Sequence, residues 1–122
     1  MSDKIKIAID AMGGEKSPKK IIDGIEISLK LNNENFFYIY GNEDLLKKEI
    51  SSNKLVAQHC KIINAKDVVL DNESPLYAAK RGKESSMWKT IESLKEKKAD
   101  ISLSAGNTGA LLVISRLLLK TI

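Results

Sequence analysis

Ile101-Ser102-Leu103-Ser104-Ala105-Gly106-Asn107-Thr108-Gly109-Ala110 is the stretch that decides the fold of this chain. A short strand-like run ends at Ser104, a loop of small residues follows, and an apolar helix-like stretch runs from Thr108 to Lys120. A strand that turns through glycine into a helix is the building unit of a parallel α/β sheet. The glycines let the backbone come close to a ligand. The N–H groups at the start of the following helix carry partial positive charge and suit an anion. The loop lacks the lysine of the G-x-x-x-x-G-K-[ST] nucleotide loop, and it does not match G-x-G-x-x-G. It reads as a cradle for phosphate or carboxylate. The plainer alternative is a connection needed only for packing.

Working outward, the elements alternate as β-α-β-α-β-α-α-β-α. Ile5 to Ile9 is an apolar strand, and Ser17-Pro18 supplies a helix cap followed by proline at the first helical position. Ile21, Ile22, Ile25 and Leu29 then recur at helical spacing. Phe36 to Tyr40 forms a second strand, and Asn42 caps a short helix carrying Leu45, Leu46 and Ile50. A weaker strand lies around Cys60 to Ala65. Ser74-Pro75 opens a helix toward Arg81, and Ser85 to Lys97 is a helix with Met87, Trp88, Ile91 and Leu94 toward the core. The expected fold is therefore α/β, a mostly parallel sheet with helices on both faces. In such a sheet the loops 10–17, 41–42, 65–74 and 105–108 gather at the carboxyl edges of the strands, where ligands bind at a switch in strand order.

Composition narrows the partners. The 122 residues are enough for one core, and 43% hydrophobic with 30% charged content is that of a soluble globular segment. The net charge of +4 suits acidic small molecules or an acidic protein surface and falls short of a nucleic-acid footprint. The single Cys60 excludes an internal disulfide and points to a reducing cytoplasm. Met1 to Lys6 runs directly into a strand, with no leader pattern. No apolar run approaches the roughly 20 residues needed to span a bilayer.

Further candidates lie outside the 104–110 loop. Asp10-Ala11-Met12-Gly13-Gly14-Glu15 follows the first strand, and Asp10 there can orient a loop, accept from a substrate or cap local N–H groups. Lys80, Arg81 and Lys83 form a basic cluster ahead of Ser85-Ser86. Arginine grips phosphate with two hydrogen bonds, while lysine adds a mobile charge. Ser85 or Ser86 can cap the next helix or donate to an anion. For the basic residues the alternative is a solvated turn. His59 beside Cys60, with no second histidine, reads as structural rather than as a metal or catalytic pair. Leu111 to Leu119 is apolar nearly all round, the pattern of a helix buried on every side. Few elements remain to bury it, so the chain is a fragment or a partner covers that surface.

Taken in order, Asp10-x-Met12-Gly13-Gly14, Pro18, Gly41-Asn42, Pro75 with Arg81, Ser85-Ser86-Met87 and Ala99-Asp100-x-x-x-Ser104-Ala105-Gly106-Asn107-Thr108-Gly109-Ala110 resemble the bacterial phosphate acyltransferases of phospholipid synthesis. The likeness runs from about residue 4 to residue 122. It implies transfer of a fatty acyl group from acyl carrier protein to inorganic phosphate, giving acyl phosphate. It also implies a fold like those of phosphate acetyltransferases and isopropylmalate dehydrogenases, with no metal or organic cofactor. Acyl carrier protein and phosphate are the implied partners, together with a homodimer and peripheral membrane contact made by segments beyond these residues. The implied phosphate and substrate residues are Asp10, Gly13, Gly14, Lys80, Arg81, Ser85, Ser86, Ser104, Gly106, Asn107, Thr108 and Gly109. No residue is carried over as the catalytic base.

The sequence departs from that family at three points. Glu15 stands where aspartate is usual, and Lys80 where arginine is common, which loses the planar fork. The chain is also much shorter than family members, so it reads as a single α/β segment, the N-terminal portion of a longer acyltransferase domain. Two other readings stay open: a non-catalytic fragment or half of a split enzyme, and a short-chain acyltransferase that uses coenzyme A thioesters. A dehydrogenase relative is disfavoured because the dinucleotide fingerprint is absent.

Overall fold

The computed structural model describes residues 4–13, 18–70, 73–104 and 108–119, with only the backbone of Arg81, Thr108 and Arg116. Its frame is four parallel strands, β1 (Lys6–Asp10), β2 (Phe36–Gly41), β3 (Cys60–Asn64) and β4 (Ile101–Ser104), in the order β3-β2-β1-β4. The chain steps outward from β1 through β2 to β3, then returns to lay β4 on the other side of β1. The direction of strand order therefore reverses at the β1–β4 pair, where an open α/β sheet places its ligand crevice. In register, Asp10 lies opposite Tyr40 on one side and Ser104 on the other.

The strands alternate their side chains between two unlike faces. Ile9, Phe37 and Ile39 point to one face, where α1 (Lys19–Leu31), α2 (Glu43–Ile50) and α3 (Lys54–Gln58) cover them. Ile22, Ile25, Leu29, Leu46, Ile50 and Val56 complete this aliphatic core. Each such side chain contributes about 1.5–3 kcal/mol on burial. Ala8 and Tyr40 point to the other face, against α5 (Ser86–Lys95). α6 (Thr108–Leu119) stacks on both α4 (Pro75–Arg81) and α5, in a cluster of Ala78, Met87, Trp88, Ile91, Ala110, Ile114 and Leu118.

Local signals account for most of the boundaries. Asn42 Oδ1 accepts from Leu45 N at 3.1 Å and starts α2, and Asn53 Oδ1 accepts from Val56 N at 3.1 Å and starts α3. α3 was not expected. Its five residues are too few to show helical periodicity, and the cap at Asn53 is its one clear signal. Ser17 lies outside the described residues, and α1 begins one residue later than expected, with Pro18 at the cap position and its carbonyl accepting from Ile22 N at 3.1 Å. Ser74 precedes Pro75 at the start of α4 but makes no side-chain cap bond.

As expected from the few elements left to cover it, α6 is not buried all round: Ala110, Ile114 and Leu118 line its inner stripe, while Leu112 and Leu117 are 67% and 54% exposed. The reason is that α4 and α5 cover one side of it only. Leu94 of α5 is half-buried, and Ser93 takes the inward position instead. Trp88 sits in the core as expected, and Ile101 and Leu103 on the edge strand β4 are 44% and 51% exposed.

Candidate functional site

The carboxyl ends of β1 and β4 meet at Asp10 and Ser104. Strand alternation places Asp10 on the α5 side of the sheet, and its carboxylate is buried. Burying a charge is costly unless hydrogen bonds replace the lost water. Three donors do so here: Asp10 Oδ1 accepts from Ser86 Oγ at 2.5 Å and from Met12 N at 3.0 Å, and Asp10 Oδ2 accepts from Ser104 Oγ at 2.9 Å. The Met12 bond folds the loop after β1 back on its own aspartate, in the manner of an Asx turn. Hydrogen bonds to a charged group are each worth about 1.5–3 kcal/mol.

The start of α5 is tied down from a third direction. Ser86 N donates to Asp67 O at 3.0 Å, and Asp67 N donates to Glu84 O at 3.1 Å, so the segment after β3 joins the same rim. Ser85 is the helix cap, with its Oγ accepting from Trp88 N at 3.1 Å and donating to Gly82 O at 2.7 Å. Along the inner side of α5, Thr90 Oγ1 donates to Ser86 O at 2.6 Å and Ser93 Oγ to Thr90 O at 2.7 Å. These small, internally bonded side chains let α5 lie close on the sheet without leaving buried polar atoms unpaired. Beside the rim, burial holds the Tyr40 hydroxyl above its ordinary pKa, against the pull of its hydrogen bond with Ser93.

The structure thus brings together Asp10, Gly13, Ser85, Ser86 and Ser104, which span nearly the whole chain. Thr108 and Gly109 open α6, so the helix start follows β4 at the same edge. Lys80 and Lys83 lie on the exposed surface ahead of Ser85, and of Arg81 only the backbone is described. Gly14, Gly106 and Asn107 lie outside the described residues. The hydroxyl protons of Ser85, Ser86 and Ser104 are all directed into the protein. A contact from them to an anion therefore requires the hydroxyl to turn. Asp67 and Tyr40 were missed in the sequence; the parallel register that aligns Tyr40 with Asp10 is the signal that finds the latter.

Other chemistry-bearing groups lie elsewhere. Burial pushes the Cys60 thiol up to about 11, which leaves it unionised at neutral pH, and His59 Nδ1 is 2.9 Å from Leu55 O at the end of α3. Among the described residues no group of three His, Cys, Asp or Glu side chains is placed to hold a metal ion. Grooves of about 500 and 370 Å³ lie on the α1–α3 side, lined by mixed charges such as Lys19, Glu49 and Lys54, away from the Asp10 rim. No described helix is long and apolar enough to cross a membrane.

Comparison with known proteins adds a second line of observation. A family model described as "Fatty acid synthesis protein" matches residues 5–122. A "Phosphate acyltransferase" of Pelagibacter ubique (strain HTCC1062) is 56% identical over 122 residues, which is 100% of this chain and 36% of the relative. Proteins of the same name from Rhodopseudomonas palustris (strain TIE-1) and Ehrlichia ruminantium (strain Gardel) are 37% and 40% identical, over 100% and 97% of this chain and 35% and 36% of their own lengths. The chain therefore spans about a third of the length of these curated relatives.

Proposed function

Because the chain belongs to the fatty acid synthesis protein family, we propose that it is the phosphate-holding portion of a phosphate acyltransferase. In this reading a phosphate oxygen attacks the thioester carbonyl of an acylated acyl carrier protein. The C–S bond breaks, the carrier leaves as its thiol, and acyl phosphate is the product. The observation that carries the reading is the convergence of Asp10, Ser86 and Ser104 at the β1–β4 switch, beside the start of α6. A reaction of this kind needs phosphate held, partly desolvated and aimed at the carbonyl. Backbone N–H groups and a helix start can hold it without protonating the attacking oxygen. Phosphate contacts from Gly13, Gly14, Gly106, Asn107, Thr108 and Gly109, with charge from Lys80 and Arg81, belong to this proposal.

The carrier protein is the favoured acyl donor because the chain's net charge of +4 complements an acidic surface. The segment is read as the N-terminal portion of a longer domain. The exposed Ile101, Leu103, Leu112 and Leu117 favour a second piece of polypeptide, or a second subunit, that covers them. Calorimetric titration tests the site directly: inorganic phosphate binds the chain, and Asn107→Ala weakens binding without changing the folded fraction. Mixing the chain with the separately expressed remaining two-thirds of a relative tests the activity. Acyl phosphate formation from acyl carrier protein supports the reading. Faster turnover with a coenzyme A thioester shifts it to a short-chain enzyme, and no turnover leaves a non-catalytic segment.

A further inference from the structure

We propose that Asp10 is a positioning residue, a buried clamp that sets the end of β4 and the start of α5 relative to β1, and that it acts on an anion only through them. Ser86 and Ser104 stand 76 and 94 positions from Asp10 in sequence, yet both hydroxyls donate to its two oxygens. Met12 N fills a further acceptor position on Oδ1. Asp10 is 2% exposed, so its carboxylate is turned to the protein rather than to a bound ion. A negative charge at this place would also repel a phosphate brought into contact. Its chemical use is therefore indirect. It fixes Ser104, the last residue of β4, and the first turn of α5, to which the Asp67 segment is bonded.

Hydrophobic packing cannot do this, because it is non-directional. Two charge-assisted bonds from separate elements to one carboxylate fix distance and orientation together. Asp10→Asn separates this role from the bulk of the side chain. An amide keeps the shape but offers one acceptor oxygen, so at least one of the two serine hydroxyls loses its acceptor.

The part of this inference that concerns anion affinity rests on the phosphate-holding reading above; the clamp itself does not. The test uses the whole 122-residue chain and its Asp10→Asn, Ser104→Ala and double variants. Amide hydrogen exchange reads the clamp without any ligand. Asp10→Asn is expected to speed exchange at Ser86, Met87 and Ser104 about tenfold or more, with little change at Ile39 and Ile62. Uniform acceleration across the sheet, or none at the clamped ends, overturns the proposal. Calorimetry with inorganic phosphate, well below the unfolding temperature, reads the consequence. Asp10→Asn is expected to weaken binding about tenfold, and in the Ser104→Ala background to add clearly less than about tenfold, the remainder being the part that acts through Ser86. Fully additive losses overturn action through Ser104. If Asp10→Asn fails to fold, Ser104→Ala decides alone: it is expected to loosen Ser104 and spare Ser86, and no loosening at Ser104 overturns the clamp. If the unaltered chain binds no phosphate, the phosphate-holding reading fails and the exchange result still decides the clamp.

Discussion

The two faces of the sheet are covered by helices in opposite ways. On the α1–α3 face, Ile22, Ile25, Leu29, Leu46 and Val56 meet Ile9, Phe37 and Ile39, and no hydrogen bond is needed to hold them. On the α5 face the contact is made by Ser86, Thr90 and Ser93 over Ala8 and Tyr40, with Asp10 at the edge, and the polar atoms are bonded. Apolar burial supplies free energy but little orientation. Hydrogen bonds to a buried carboxylate supply orientation at a desolvation cost. The first face therefore holds the fold together, and the second aims the rim. The separation is sharp enough to break by experiment.

The largest effect is expected from Leu46→Ala. Leu46 is fully buried in the aliphatic layer, and truncating it leaves a cavity. Urea unfolding should show a loss of about 2–5 kcal/mol. Phosphate affinity of the protein that remains folded should stay within about twofold, because no rim residue depends on Leu46 for a hydrogen bond. A tenfold loss of affinity would show that the two faces are mechanically one.

Gly41→Ala probes the seam between the faces. Gly41 ends β2, and an added Cβ there would lie 2.8 Å from Met12 Cγ, 2.9 Å from Met12 Sδ and 3.1 Å from Leu46 Cδ1. Met12 must move, and it is the residue whose N–H bonds to Asp10. Overpacking of this kind costs about 1–3 kcal/mol. Unlike Leu46→Ala, this change should also weaken phosphate binding, by about threefold to tenfold, since it displaces the Asp10–Gly13 turn. An unchanged affinity alongside lowered stability would remove that turn from the site.

The same contrast explains what was legible in the sequence. The aliphatic face was legible because periodicity is local: Ile22, Ile25 and Leu29 announce α1, and the runs at 36–40 and 101–104 announce their strands. All four strands are found within a residue or so of the expected positions. Asp10, Ser86 and Ser104 were each legible as candidates, but their union was not. It depends on the register that puts Asp10 beside Ser104 and on α5 returning to the carboxyl edge, and both are set by tertiary packing. Residue type alone leaves Ser85 between cap and anion donor; its bond from Trp88 N makes it the cap. The incomplete cover of α6 is legible in the sequence, because few elements remain to bury it, but which side stays open is not. A stripe of leucines reports what a helix is able to bury, whereas the exposure of Leu112 and Leu117 depends on which neighbours reach it.

The smallest expected effect lies at the far end of α5, where the helix stops. Lys97 has φ of 62°, the left-handed region, and it is the one described non-glycine residue there. Lys98 N donates to Ser93 O at 2.9 Å and Lys97 N to Leu94 O at 3.1 Å, the paired bonds of a Schellman termination. An L-residue in this conformation is disfavoured by roughly 1–2 kcal/mol, and glycine is not. Glycine also gives the unfolded chain more freedom, which offsets part of the gain. Lys97→Gly should therefore raise stability by about 0.5–1 kcal/mol, seen as a higher urea midpoint. Because the bonds from α5 to Asp10 and to the Asp67 segment come from its first turn, stabilising its last turn should leave phosphate affinity and the exchange rate at Ser86 unchanged. A tighter Ser86 in Lys97→Gly would mean that α5 transmits strain along its length, and the rim would then be set by the whole helix rather than by Asp10 at its start.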